Sequence, residues 1–335
     1  MNPLASLAIV TALALSACGG GGGSGSSSGN TTSATPSVFT PAAATVAAKT
    51  VNYTGTYFGA DARNSYGCYI PTKTVYVLGN SETYVAPNVI DRDQQLAAED
   101  TESSIQEIKT VFGISAATVG FTGSRSQTCI QNESLGGSIE GVGKNGGFLA
   151  LSLSASGIPS SFLTDNFVQY KHLVKHENVH AMTNTLMGTD SAILDAWFAE
   201  GLAEYVAWGG KSDKTKTDLL NLVNTQNPID MNVSSGSAAW AYYPAFQSVV
   251  AYLFDPNGAN NDIKTMPAFL AALKADYAYE SMNCFIANNC NTMQTRMFTK
   301  EFEAFFKERD GTPMKLRTGT NNLRDTVATR LTNFL

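Results

Sequence analysis

Charge is scarce in this chain. Only 15% of its 335 residues are charged, and acids outnumber bases enough to leave a formal charge of −6. That balance, with no basic cluster anywhere, argues against a nucleic-acid partner, because phosphate backbones are held by grouped Lys and Arg. Long apolar runs are nearly missing too. The one at the start, Leu4 to Ala17, is shorter than the roughly 20 residues a membrane-spanning helix needs, and no second run follows. No internal repeat is present. Cysteine is sparse, at five residues, and histidine sparser, at three, so the places where they fall carry weight. At 43% hydrophobic, the composition of the whole chain is ordinary for a soluble globular protein.

The first residues are read as targeting rather than fold. Leu15-Ser16-Ala17-Cys18 resembles a bacterial lipobox, in which Cys18 becomes the lipidated first residue of the mature protein. Residues 1–18 would then be a lipoprotein signal peptide. No Lys or Arg precedes the apolar run, a departure from that pattern, and an ordinary cleaved signal is the alternative. Gly19 is not the aspartate of inner-membrane retention, so the resemblance implies a protein of the bacterial cell envelope, lipid-anchored in the outer membrane. From Gly19 to Ala48 the chain is rich in Gly, Ser, Thr, Ala and Pro and carries no charge; Lys49 is the first charged residue. Such a composition cannot bury enough apolar surface to order itself, so residues 19–48 are expected to be a flexible tether and 49–335 the folded domain.

Two of the three histidines fall in Lys175-His176-Glu177-Asn178-Val179-His180, an H-E-x-x-H pattern. On a helix, His176 and His180 are separated by about 40° around the axis and about 6 Å along it, so both imidazoles can reach one metal ion. Glu177 then sits beside the ion, free to handle a proton. Trp197-Phe198-Ala199-Glu200-Gly201-Leu202-Ala203-Glu204-Tyr205 follows. Glu200 and Glu204 form another i, i+4 pair on one helix face. Gly188, Thr189 and Asp190 break the first helix, leaving room for the second to turn back across it.

H-E-x-x-H followed by W-x-x-E-G-x-A-E-Y resembles the gluzincin metallopeptidases over residues 165–208. The resemblance implies that His176, His180 and Glu200 ligate one catalytic Zn²⁺, that Glu177 is the general base, and that Glu204 accepts a hydrogen bond from a ligating histidine. It also implies a zincin-like α+β fold: an α/β lobe over 49–162, a mainly helical lobe over 163–335, and the metal in the cleft between them. The activity implied is hydrolysis of peptide bonds in peptide or protein substrates. Tyr242 and Tyr243 open a helix resembling the one after the zinc site in peptidase-MA-like proteins. Tyr243 is the favoured oxyanion donor, with core packing an open alternative for either tyrosine.

Elsewhere the pattern is coarser. Thr74–Leu78 reads as a strand, Asp91–Val111 as a helix, and Val119–Phe121 and Thr128–Ile130 as short strands. Lys144–Gly147 reads as a turn and Phe148–Leu153 as a strand. A strand shortly before the H-E-x-x-H helix fits the zincin plan, whose edge strand pairs with extended substrate. Thr164 or Asp165 is placed to cap that helix, which is expected to run to Asn184. Helices are further expected at Tyr242–Phe254, Met266–Tyr277, Thr299–Lys307 and Leu323–Leu335.

The four cysteines left after Cys18 suggest two disulfides in an exported chain. Sequence-local pairing, Cys68 with Cys129 and Cys284 with Cys290, is the favoured arrangement among three. His172 extends the histidine stripe but lies about 12 Å along the axis from His180, too far to share one ion, and is assigned to packing or the cleft rim. Gly137-Ser138-Ile139-Glu140-Gly141 is faintly similar to the G-x-M-E-N element of aminopeptidase-N-like enzymes, departing at two positions. An aminopeptidase is therefore one alternative, and a zincin-fold surface binding protein without turnover is another.

Overall fold

The computed structural model describes residues 48–52, 72–85, 91–131, 141–152, 167–189, 193–231, 240–287 and 290–335. The architecture is α+β. Strands β1 (Ala48–Asn52), β2 (Thr72–Val77), β3 (Ser81–Val85), β4 (Ser126–Gln131), β5 (Gly141–Lys144) and β6 (Phe148–Ser152) form one six-stranded sheet in the order β1-β2-β3-β4-β6-β5. The β1, β2 and β3 strands run antiparallel, β3, β4 and β6 run parallel, and β5 returns antiparallel beside β6. Helix α1 (Asp91–Phe112) joins β3 to β4, the crossover a parallel pair requires. After β6 the described elements are helical: α2 (Phe167–Met187), α3 (Ala196–Trp208), α4 (Lys216–Thr225), α5 (Tyr243–Phe254), α6 (Met266–Ala287), α7 (Cys290–Phe305) and α8 (Leu323–Phe334). No described helix is long and apolar enough to cross a membrane.

The α1 helix forms where the spacing expects it, with Ile105 and Ile108 fully buried. Its polar side is tied to the β2–β3 turn. Glu102 accepts from the Asn80 backbone amide at 2.9 Å and from the Ser81 hydroxyl at 2.8 Å, while the Lys109 ammonium donates to Asn80 Oδ1 at 2.8 Å and to the Thr118 carbonyl. Val119–Phe121 is not a strand. Gly120 stands at φ 55° and the Gly123 amide bonds back to the Val119 carbonyl, so the segment turns. The α6 and α7 helices are longer than expected, because Asn and Cys residues read as separators lie inside helices or at their first residue.

Two close approaches position the helices that matter. A Cβ on Gly143 would stand 2.1 Å from the Glu177 carbonyl oxygen, so β5 lies directly on α2. A Cβ on Gly201 would stand 2.5 Å from the Phe246 carbonyl oxygen, so α3 lies directly on α5. The far side of α3 is fixed by aromatic packing: Trp197 and Phe198 are fully buried among Phe269, Phe298, Phe302 and Phe306, with Phe302 and Phe306 stacked at 4.4 Å. Each such ring contributes about 1.5–3 kcal/mol by leaving water. Asp195, at the start of α3, is held by Arg317 at 2.5 Å and by the Trp197 indole N–H at 3.3 Å.

Candidate metal centre

The α2 and α3 helices bring the two sequence patterns face to face. His176 Nε2 and His180 Nε2 stand 3.0 Å apart, and each lies 3.3 Å from Glu200 Oε2. All three residues are buried, at 0%, 3% and 3% exposure. A tetrahedral zinc site with bonds of about 2.0–2.2 Å separates its donor atoms by about 3.3–3.6 Å. The observed triangle is close to that size, and its atoms are the imidazole nitrogens and carboxylate oxygen zinc prefers. These residues therefore fit a metal ion. Desolvation pushes the Glu200 carboxyl up, but the neighbouring His180 and His176 outweigh it and hold the group well below the usual carboxylate range.

Glu204, one turn further along α3, faces the other side of His176. Its Oε1 lies 2.9 Å from His176 Nδ1, and its Oε2 lies 3.2 Å from His172 Nε2 and 3.0 Å from the Trp208 indole nitrogen. An ionised carboxylate only accepts, so each of those nitrogens must present N–H. For neutral His176 this fixes the tautomer: Nδ1 carries the proton, and Nε2 turns its lone pair toward His180 and Glu200. Burial opposes ionisation of Glu204, yet hydrogen bonds from His172 and His176 keep it charged and its carboxyl below the ordinary range.

Glu177 is the odd member. It is 0% exposed, and among the described residues no side chain donates to its carboxylate, which has only the Gly143 backbone amide beside it. Desolvation raises its carboxyl to about 7, against the lowering influence of His176 and His180, while the charge of Glu200 adds to the rise. A buried acid with no side-chain partner costs stability and persists where another task holds it. Its side chain fills the space in front of Gly141, where a Cβ would come within 2.6 Å of Glu177 Cγ.

Tyr243 is 8% exposed, and its ring lies nearly parallel to His176, with centroids 6.0 Å apart and planes 12° apart. Tyr242 is half-buried and packs against the core. His172 packs as its sequence assignment expects, its ring stacked on Trp208 at 4.2 Å, and in addition its Nε2 lies 3.2 Å from Glu204 Oε2. Trp208 was not singled out by sequence, although its i, i+4 relation to Glu204 repeats the relation of Glu204 to Glu200.

The strand expected at the sheet edge is internal: β6 pairs with β4 on one side and β5 on the other. Among the described strands the edges are β1 and β5; β5 is the one beside α2, with Gly141 and Gly143 facing Glu177 and His180 and all four of its residues buried. Glu140, just before β5, lies outside the described residues, as do Cys18, Cys68, Thr164 and Asp165. Cys129 is fully buried on β4 and disulfide-bonded. Cys284 lies in α6 and Cys290 opens α7; the side chains of both fall outside the description.

Compared with known proteins, the chain matches no family model and no curated sequence.

Proposed function

We propose that this chain is a zinc metallopeptidase of gluzincin type, with a zincin-like arrangement of sheet and active-site helix. The observation that carries the reading is the buried triangle of His176 Nε2, His180 Nε2 and Glu200 Oε2 at 3.0–3.3 Å, beside a buried Glu177 to which no described side chain donates. His176, His180 and Glu200 hold the ion. Zinc bound there would act as a Lewis acid, polarising a substrate carbonyl and easing the deprotonation of water.

The chain's own residues do the rest. Glu177 takes a proton from the attacking water and passes it to the leaving amine as the peptide C–N bond breaks. Burial raises this carboxyl above the ordinary range in the metal-free protein, the direction expected of a group that must both take and return a proton. Glu204 holds the Nδ1 proton of His176 and so keeps Nε2 available as a ligand. Tyr243, packed against His176, is the candidate to donate its phenol O–H to the oxyanion that develops on the carbonyl.

The test is a zinc titration of metal-stripped protein coupled to digestion of a peptide library. One zinc per chain and cleavage that disappears on stripping and returns on reloading support the reading. A protein that binds no zinc overturns it. One that binds zinc and cleaves nothing is instead the zincin-fold binding protein.

A further inference from the structure

Glu204 does more than accept one hydrogen bond from His176, because three donors converge on it from three directions. His176 Nδ1 uses Oε1 at 2.9 Å, while His172 Nε2 at 3.2 Å and Trp208 Nε1 at 3.0 Å share Oε2. His172 and Trp208 are themselves stacked, ring on ring, at 4.2 Å and 22°. Trp208 is 52% exposed, an unusual setting for a large apolar ring, whereas Glu204 beneath it is 7% exposed. The exposed indole therefore covers a buried carboxylate and spends its only N–H on it.

We propose that His172 and Trp208 are positioning residues: a stacked pair that clamps Oε2 of Glu204, leaving Oε1 aimed at His176 Nδ1. The inference rests on the metal reading of His176, His180 and Glu200. Its physical content is rotational. A glutamate has three side-chain torsions, and a carboxylate held at one oxygen alone can swing. Two donors on Oε2 from different elements, His172 on α2 and Trp208 at the end of α3, fix its plane. His176 in turn is held in the tautomer and orientation that present Nε2 to the ion. The clamp is legible only in the structure, since residues 172, 204 and 208 come from two helices whose meeting the sequence does not specify.

Zinc affinity, measured by competition with a chromophoric chelator, is the readout. Wild type is compared with Trp208→Phe and His172→Phe, which keep the stacked rings and remove one donor each, and with Glu204→Ala. Removal of groups that orient a ligand histidine typically costs about 10–100-fold in metal affinity. Glu204→Ala is expected in that range, and each clamp variant at about 5–10-fold, with the melting temperature of the metal-free protein unchanged. His172→Gln, which keeps an N–H donor, should recover most of the loss. In a Glu204→Ala background, His172→Phe should cost nothing further, because the effect runs through Glu204.

Clamp variants that bind zinc as tightly as wild type, while Glu204→Ala is weakened, overturn the clamp and leave the metal reading intact. So does a His172→Phe loss that persists undiminished without Glu204. A second zinc per chain that depends on His172 and not on Trp208 also overturns it, making that cluster a metal site. Wild type that binds no zinc removes the underlying reading as well.

Discussion

Glu177 and Gly141 compete for one volume: a Cβ added to Gly141 would stand 2.6 Å from Glu177 Cγ and 2.9 Å from its Oε1. The obstacle is a side chain that can rotate away, so Gly141→Ala should leave fold and zinc content intact while displacing the proposed general base. A displacement near 1 Å can cost on the order of 100-fold in turnover. Steady-state kinetics on zinc-matched protein read this directly, and a wild-type kcat for Gly141→Ala would show that Glu177 does not work from its observed position.

Gly143 meets a different obstacle. There a Cβ would lie 2.1 Å from the Glu177 carbonyl oxygen and 2.6 Å from the Ala181 nitrogen, both backbone atoms of α2. Neither can rotate away, so the strand must lift off the helix. Gly143→Ala is expected to destabilise the protein by about 1–3 kcal/mol or more, as overpacked cores do. Thermal unfolding of the metal-free protein measures it, and an unchanged melting temperature would contradict the close packing of β5 on α2.

Asp100 on α1 provides a pH dependence remote from the candidate metal centre. Burial raises its carboxyl from 3.8 to about 6, with Lys171, 3.5 Å away, pulling only partly in the opposite direction. Between those two values the folded chain holds more protons than the unfolded one, so this group lowers stability as pH rises from about 4 to about 6. Asp100→Asn should therefore stabilise the protein at pH 7 and lose that advantage as pH falls through 6 toward 4. Melting temperatures of both proteins across that range decide it; an advantage that grows on acidification would refute the assignment.

The lipobox reading of Leu15-Ser16-Ala17-Cys18 has its own test. Cells given a labelled fatty acid should transfer label to the wild-type chain and not to Cys18→Ser, which should also leave the membrane fraction. A wild-type chain that takes up no label would reject the tether.

The site was more legible in the sequence than the sheet beneath it, and the reason is chemical. With only three histidines in the chain, the i, i+4 pair at His176 and His180 is hard to produce by accident, and Glu200 and Glu204 repeat that spacing. Each needs a single helix to become meaningful, and both helices formed. The edge strand β5 escaped because Gly141-Val142-Gly143-Lys144 has neither alternation nor β-branched density. Its glycines are there for contact with α2, a tertiary reason that no local pattern carries. Val119-Gly120-Phe121 misled in the opposite sense: strand-like side chains flank a glycine whose positive φ makes a turn. His172 was set aside because it cannot reach the same ion as His180. Its partner, Glu204, becomes visible only once α2 and α3 are packed together.

The division of labour between Glu177 and the ligands is the centre of the account, and one comparison tests it most directly. Wild type and Glu177→Gln, loaded to the same zinc content, are given the same peptide library and their cleavage rates measured. The amide keeps the shape of the side chain and removes the base. Zinc should therefore stay bound while turnover falls by about 10²–10⁴, the contribution of a positioned general base. Cleavage by Glu177→Gln at the wild-type rate, with zinc in place, would contradict the proposed chemistry.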